Sequence, residues 1–266
     1  FGGTNAVAPS GTSTDVMHGI TNYADGVIAA QADDLYFSVS GTSYVHINKN
    51  TFTVGPGTVS ISNNSATVTG TSTTFTSSFI LNDDIKIDGK IYKVLSITSN
   101  TVLTLDRVAD TASTQNGLSY FIGGISAASL AAATTINRTN QSNVKFVNFE
   151  STGGQNGTLY GVDGINKIFE FYIDDNNKYH FQEIERSAPV GCSVIEKYAE
   201  RIIVAGQTAN PSTVFYSTRL KPYDFEGASA GSIDVGDIVI GIKVFRNSLI
   251  IFCKNSIYEL TNLDST

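Results

Sequence analysis

The residues of this chain that could carry out nucleophilic chemistry are a serine in a glycine-rich segment and three scattered histidines. The segment Gly227–Gly231 reads GASAG and fits the G-x-S-x-G pattern of a hydrolase elbow, with Ser229 as the nominal nucleophile. An elbow needs a buried strand before it and a helix after it, whereas PYDFE precedes and SIDVGD follows. His18, His46 and His180 lie far apart, and none belongs to a motif that supplies a partner base. We therefore expect a small-residue loop at Ser229 and ordinary structural histidines.

Acidic residues form two clusters, and β proteins can use such carboxylates for glycoside hydrolysis or for metal binding. The clusters are Asp224, Glu226, Asp234 and Asp237, and then Asp83, Asp84 and Asp88. Neither cluster has the D-x-D-x-D-G spacing of a calcium loop, and catalytic carboxylates must face each other across a sugar cleft. Solvated acids in turns are the simpler interpretation. A glycosidase that uses the first cluster is therefore the weakest functional hypothesis for this chain.

No other pattern predicts a cofactor or a metal ion. The sequence has no P-loop, no G-x-G-x-x-G and no H-E-x-x-H. Its two cysteines, Cys192 and Cys253, lack metal-ligand spacing, and Cys253 lies in the apolar run LIIFC. This pattern favours buried thiols, with a disulfide between the two as the alternative. We predict that the chain is not an enzyme and has no catalytic, cofactor-binding or metal-binding residues.

Composition favours one large globular domain, or one that carries a smaller domain. The chain has 266 residues, 15% of them charged, and a mean hydropathy of +0.01. Its net charge of −7 argues against tight binding to nucleic acid or to an anionic membrane. There is no membrane span or signal-peptide pattern. Because the chain begins at Phe1 rather than Met, we expect it to be part of a longer polypeptide.

Short β-branched runs separated by Gly, Asn, Asp, Ser and Thr predict an all-β chain. One candidate helix exists. Residues Ile125–Asn137 are rich in alanine but have only a weak apolar stripe, so a short helix and an ordered linker both fit.

An internal repeat runs through the chain outside its middle section. Tyr23–Gln31 is similar to Tyr198–Gln207 and to Val244–Cys253, each with an aromatic residue, a turn and a strand. The next strand repeats too, in Leu35–Ser38, Lys167–Phe171, Thr213–Ser217 and Ser256–Leu260. The last three copies recur with a period in the mid-forties, which is typical of a four-stranded propeller blade. We predict propeller-like antiparallel blades in residues 1–56 and 122–266, too few to close a ring alone.

Residues 57–121 break this period. GTVSISNNSATVTG predicts a hairpin across Asn63-Asn64, and DDIKIDGKIYKVLSI predicts another across Asp88-Gly89. With the run TVLTLD, this section should contain five or six short strands. We predict a small β-barrel or sandwich inserted as a separate domain.

Two parts of the chain resemble virion proteins of short-tailed phages. TVFYSTRLKPYDFEG, which contains the turn Pro222–Phe225, and the following IDVGDIVIGIKVFRNSLIIFCKNSIYEL resemble blades of tail tubular or nozzle proteins. The insert resembles a small β module that recurs in phage virion proteins. These resemblances cover roughly the second half of the chain and the insert. The chain lacks several blades and the platform region of a full nozzle protein.

The resemblance implies a non-enzymatic structural component of a phage tail complex, located in the tail or neck of the virion. It implies a nozzle-like or tail-adaptor-like homo-oligomer, a ring or tube for genome passage, in contact with other tail or portal-adaptor proteins. A net negative charge suits the wall of such a tube, because a basic lumen would bind the phosphates of the passing genome. The alternative is a receptor-binding or adhesin module that recognises host surface glycans through loops and exposed aromatic residues.

The hairpin Ser248–Leu260 is unusually apolar. An uncovered strand edge of this kind aggregates, so we expect either more of the polypeptide or a neighbouring copy to cover it.

Overall fold

The protein is almost entirely antiparallel β-structure, as its sequence predicts. The computed structural model describes residues 17–24, 26–31, 34–38, 45–46, 52–81, 83–109, 111, 113–123, 125–126, 143–150, 157–173, 178–184 and 187–263. The chain divides into two compact units. The large unit comprises Phe1–Lys49, Ala128–Tyr172 and Phe181–Thr266, and the small unit comprises Asn50–Ala127 and Ile173–His180. The folding of residues 57–121 as a domain of their own stays a prediction.

The described residues form strands throughout both units and one helix of a single turn, α1 (Phe75–Ser78). In chain order the strands are β1 (Met17–Tyr23), β2 (Gly26–Gln31), β3 (Asp34–Ser38), β4 (Val45–His46), β5 (Thr53–Val54), β6 (Thr58–Ile61), β7 (Thr67–Thr71), β8 (Asp84–Ile87), β9 (Lys90–Ser99), β10 (Val102–Leu105), β11 (Gln115–Leu118), β12 (Tyr120–Ile122), β13 (Ile125–Ser126), β14 (Lys145–Phe149), β15 (Thr158–Val162), β16 (Phe169–Ile173), β17 (Lys178–Glu183), β18 (Val194–Tyr198), β19 (Arg201–Ala205), β20 (Thr213–Tyr216), β21 (Gly231–Asp234), β22 (Val239–Phe245), β23 (Ser248–Cys253) and β24 (Ile257–Leu260).

Consecutive strands of the large unit pair as antiparallel meanders. Their orders are β1-β2-β3-β4, β14-β15-β16-β17, β18-β19-β20-β21 and β22-β23-β24. The four strands that repeat in the sequence are β3, β16, β20 and β24, and each is the third strand of its meander. The sequence repeat therefore marks structurally equivalent strands, which confirms the repeat itself.

Apolar residues hold successive sheets of the large unit against each other. The ring of Tyr23 at the end of β1 lies 5.3 Å from that of Phe171 in β16, measured between centroids. One apolar cluster joins β14 and β15 to β18 and β19, and another joins β18–β20 to β22 and β23. The second strands β15 and β19 are buried along their whole length, so they lack the polar alternation of a strand with one solvated face.

The first strands of the four meanders lie next to one another in order. Strand β1 adjoins β14, β14 adjoins β18, and β18 adjoins β22. This arrangement is compatible with the predicted blades, but it does not by itself establish a propeller.

The small unit is built around one eight-stranded antiparallel sheet with the order β11-β6-β7-β10-β9-β8-β12-β5. The ten-residue strand β9 pairs with β8 at one end and with β10 at the other, with two register shifts along β10. Such irregularities bend a sheet, and here residues from most of the strands share one core around Phe75, Phe79 and Tyr120. The described residues between Thr58 and Ile122 form seven strands rather than the predicted five or six, and the sheet that they form is not a closed barrel.

The predicted turns of the small unit are confirmed. Asn64 and Asp88 adopt positive φ values of 57° and 49°, in hairpins that place Ile61 opposite Val68 and Ile87 opposite Lys90. In the large unit the β22–β23 turn consists of Arg246 and Asn247, since Ser248 already pairs with Phe245, and Arg246 has a positive φ of 54°. The candidate helix Ile125–Asn137 begins in strand β13, and the rest of it lies outside the described residues.

Candidate functional site

The GASAG segment is a loop held by a buried arginine. Arg201 is almost completely buried, and its Nη1 donates to the carbonyl oxygens of Ser217, at 2.9 Å, and Ser229. The Ser229 hydroxyl lies 3.3 Å from both Arg201 Nη1 and the backbone nitrogen of Arg219. Strand β21, not a helix, follows the loop. Donors rather than a base surround the hydroxyl, so this geometry fits a structural serine and not an elbow nucleophile.

The acids of the first cluster each bind local donors. Buried Asp224 accepts the N–H groups of Glu226 and Gly227, both at 3.0 Å, and so closes the turn that follows Pro222–Phe225. Glu226 accepts the hydroxyl of Ser187 at 2.7 Å.

The other two acids of that cluster stabilise turns. Asp234 accepts the N–H of Gly236, and Asp237 accepts the Ser256 hydroxyl and the Asn255 N–H. These bonds lower the pKa of both carboxyls, led by Gly236 for Asp234 and by Ser256 for Asp237. These contacts account for the positions of Asp234 and Asp237 as residues that stabilise turns, and no sugar cleft is needed to explain them.

The second cluster behaves differently, because two of its acids meet a histidine from a distant part of the chain. Asp83 and Asp84 are completely buried at the start of β8, and His180 of β17 is completely buried between them. His180 Nε2 lies 3.5 Å from Asp83 Oδ1, and His180 Nδ1 lies 3.7 Å from Asp84 Oδ2. Asp84 is also paired with Lys93, its partner in the β8–β9 ladder, at 2.8 Å from Nζ to Oδ1. We call these four residues the buried charge cluster.

Backbone bonds fix the buried charge cluster in place. Asp83 Oδ2 accepts the N–H of Ile80, and Asp106 accepts the N–H of Lys93, both at 2.9 Å. Burial by itself would raise the pKa of Asp84, but the charge of Lys93 and the contact with His180 outweigh it and lower that pKa. Because the cluster has no exposed member through which a substrate could enter, its geometry indicates a structural role.

Sequence reasoning missed this cluster. His180 was expected to be an ordinary histidine, and the acids were expected to be solvated in turns. Only Asp88 meets that expectation, in an exposed hairpin turn. The signal that could have indicated their burial is the position of the acid pair Asp83-Asp84 directly before the alternating run Ile85–Ile87. Of the other histidines, His18 lies on β1, and the side chain of His46 falls outside the described residues.

Both cysteines are buried free thiols, which confirms the preferred interpretation and removes the disulfide. Burial raises the pKa of the Cys192 thiol to about 12 and also raises that of Cys253. Neither is therefore a reactive thiolate at neutral pH.

A cleft of about 340 Å³ follows the first strands of the large unit. Its lining comes from β1, β14, β18, β22 and the residue before β14: Ile20, Thr21, Val144–Phe146, Val194–Glu196 and Gly241–Lys243. Lys243 Nζ lies 2.7 Å from Glu196 Oε2 at this cleft, and Lys145 is exposed there. The cleft could accommodate a small polar ligand.

The last sheet of the large unit exposes apolar side chains. Leu249, Ile251 and Cys253 of β23 are buried against the preceding sheet, whereas Phe252 and its cross-strand partner Ile257 are exposed on the other face. Among the described strands, β24 pairs only with β23. Within the part of the chain that the structure describes, this sheet has an open edge and exposed apolar side chains on its outer face.

The described residues include no group of three His, Cys, Asp or Glu side chains that could hold a metal ion. Within the same residues, no helix has the length and apolar character needed to cross a membrane.

Comparison with known proteins identifies no family. No protein-family model matches the chain, and no curated protein matches it. Solved structures give distant likenesses. The phage phi92 endosialidase is 11% identical with a TM-score of 0.30, over 90% of this chain and 41% of its own. Kluyveromyces lactis Hsv2p is 9% identical with a TM-score of 0.31, over 90% and 59%.

A third structure, Saccharomyces cerevisiae Sqt1, is 9% identical with a TM-score of 0.34, over 96% of this chain and 85% of its own. The chain thus spans less than two thirds of the phage endosialidase and of Hsv2p. Scores this low establish neither a common fold nor a common function.

Proposed function

We propose that this chain is a non-enzymatic structural component of a phage tail complex, nozzle-like or adaptor-like, that assembles into a homo-oligomeric ring or tube. The blade motifs and the insert, which resemble phage virion proteins, motivate the proposal. The described contacts of Ser229 and of the acids Asp224, Asp234 and Asp237 are structural, which supports a role without catalysis. In this proposal the meanders are propeller-type blades.

The main support for assembly is the burial of the aromatic residue at the end of the first strand of each meander. Tyr23, Phe149 and Tyr198 are 1%, 1% and 8% exposed, because each contacts the next sheet. The Tyr23 hydroxyl donates to the Gly157 carbonyl just before β15, and the Tyr198 hydroxyl donates to the Asn247 carbonyl in the β22–β23 turn. Lys197 of the next sheet lies over the ring of Phe149.

The fourth aromatic breaks this pattern. Phe245, which ends β22, is 62% exposed. At the three equivalent positions, the next sheet packs against the aromatic residue. The surface around Phe245, Phe252 and Ile257 is therefore suited to pack against a further sheet of the same kind. A neighbouring copy in a ring would supply it, in a head-to-tail contact that closes by rotation.

Light scattering of the purified chain tests the assembly. We expect an oligomer at micromolar concentration and expect Phe245→Lys to shift it toward monomer, because an ammonium group cannot be buried in an apolar junction. Leu95→Lys is the matched control, since Leu95 of the small unit is 57% exposed and lies outside this surface. A wild-type monomer, or equal effects of both substitutions, would contradict the ring.

The location is tested separately. A reconstruction of intact virions should show this chain in a ring of the tail or neck. Its absence from the tail would remove the phage-tail role even if the purified chain forms rings.

A second candidate, a module that binds host glycans, has the cleft along the first strands in its favour. The exposed ammonium groups of Lys145 and Lys243 at this cleft would suit an acidic polysaccharide. Binding to an array of host envelope polysaccharides should then fall with Lys145→Glu and persist with Lys254→Glu, an exposed lysine outside the cleft. No binding by the wild-type chain would remove this candidate.

A further inference from the structure

The geometry around His180 allows its protonation state to be inferred. Its two ring nitrogens point in different directions, and each faces a carboxylate oxygen: Nε2 faces Asp83 at 3.5 Å, and Nδ1 faces Asp84 at 3.7 Å. The imidazole and both carboxylates are completely buried, so water does not screen these contacts.

A neutral imidazole does not fit between two carboxylates. It carries one N–H, and its other nitrogen is a lone-pair acceptor. Whichever tautomer formed, one lone pair would face a carboxylate oxygen, and this repulsion is strong at low dielectric. Only an imidazolium presents an N–H to both acids.

Other charged groups lie beside the histidine. Asp83 and Asp84 at the start of β8 carry negative charges, and Lys93 of β9 pairs with Asp84. A third acid nearby, Asp106 after β10, accepts the Lys93 N–H. All of these charges lie in a buried region, where charge contacts are strong.

We propose that His180 is a charged imidazolium in the folded protein at neutral pH and that its charge fastens residues 178–180 to the rest of the small unit. The same segment pairs with β13 through Tyr179 and Lys178, opposite Ile125 and Ser126. The charge contact of His180 adds a side-chain attachment to this backbone pairing.

This assignment makes the attachment sensitive to pH. The folded state holds the second proton of His180 more tightly than the unfolded chain, whose histidines lose it near pH 6.5. The stabilisation is therefore fully present below about pH 6.5 and declines as the pH rises above it. Alkaline conditions should loosen residues 178–180 before they affect the rest of the small unit.

Nitrogen-15 NMR of the histidine rings in the full chain tests the charge directly. At about pH 7.5, where most histidines are neutral, His180 should show two protonated ring nitrogens. Its signals are identified as those missing from His180→Gln. A neutral ring at this pH would overturn the proposal, because the wild-type protein itself reports the charge.

Urea unfolding supplies the second readout. At about pH 6, His180→Gln should raise the unfolding equilibrium constant on the order of 100-fold, because two buried acids lose the charged imidazole between them. The penalty should shrink at about pH 9, where the wild type has lost part of the same stabilisation. Adding Asp83→Asn to His180→Gln should recover part of the loss by removing one of the two acids.

His18→Gln is the control, because His18 lies on β1, outside the buried charge cluster. An equal His180→Gln penalty at both pH values, or no recovery in the double variant, would show that the ring acts only by packing and would overturn the proposal.

Discussion

At the scale of single residues, Arg201 explains why a nucleophile pattern occurs without nucleophile chemistry. Its guanidinium binds the carbonyls of Ser217 and Ser229, and its planar group lies 5.7 Å from the ring of Tyr216. The glycines of GASAG allow a close approach to neighbouring side chains, since a Cβ on Gly227 would lie 2.2 Å from the Thr218 hydroxyl oxygen and one on Gly231 would lie 2.6 Å from that of Tyr216. Ser229 therefore takes its position from the arginine and not from a catalytic partner.

Two substitutions separate these roles. Arg201→Met should destabilise the protein by about 2–4 kcal/mol, because it leaves the buried Ser217 carbonyl without this donor and removes the bond to Ser229. Ser229→Ala should cost only about 1 kcal/mol or less, since the hydroxyl is one of several acceptors. Urea unfolding measures both. A hydrolase activity of the wild type that Ser229→Ala abolishes would contradict the structural role.

Cys192 predicts how stability changes in alkali. Its folded pKa of about 12 lies above the value of an unfolded thiol, near 8.5, so the folded state holds the proton more tightly. The associated stability is present below about pH 8.5 and falls by up to about 1.4 kcal/mol per pH unit above it. Cys192→Ala should have a shallower decline over this range. Parallel curves for the two proteins would refute the assignment.

The residue scale is also where the sequence was least informative. Local patterns predicted the Asp88-Gly89 turn and the buried Cys253, because the neighbouring residues decide both. The contacts of His180 with Asp83 and Asp84 could not be predicted, since almost a hundred residues separate them and no spacing rule links them. Arg201 escaped notice for the same reason.

At the scale of elements, the hairpins follow from local chemistry. Gly57 and Gly89 both have positive φ, 78° and 75°, but their surroundings differ. A Cβ on Gly57 would lie 2.2 Å from the Thr71 carbonyl oxygen, whereas one on Gly89 would meet nothing within 4 Å. Alternation and turn residues predicted these hairpins. The register shifts along β10, which bend the sheet, have no such signature, so its strand order could not be predicted.

This contrast gives a matched pair of substitutions. Gly89→Ala should destabilise the protein by about 1 kcal/mol, the cost of positive φ for a residue with a Cβ. Gly57→Ala should lower the free energy of unfolding by clearly more, because the added Cβ would also clash with the backbone of Thr71. Thermal or urea unfolding of both variants measures the difference. Equal losses would mean that the β6 hairpin moves freely to admit the methyl group.

At the scale of the whole molecule, the repeat relates the sequence to assembly. Its third strands and the aromatic residues Tyr23, Tyr198 and Phe245 were visible in the sequence, whereas the equivalent Phe149 was not. The exposure of Phe245 was not visible, since it depends on a partner and not on local pattern. The predicted need for a cover on Ser248–Leu260 agrees with the exposure of Phe252 and Ile257.

The chemistry of this surface decides how the assembly should respond to salt. Four apolar residues of the open sheet are exposed, Ile240, Phe245, Phe252 and Ile257, and the charged Lys243 and Glu259 lie beside them. A junction of this kind is held by apolar burial and strand pairing, which salt does not screen. The mass of the oligomer by light scattering should therefore stay constant between about 0.1 M and 1 M salt, although the Debye length shrinks from about 10 Å to 3 Å. Dissociation at high salt would instead indicate a charged interface elsewhere on the molecule.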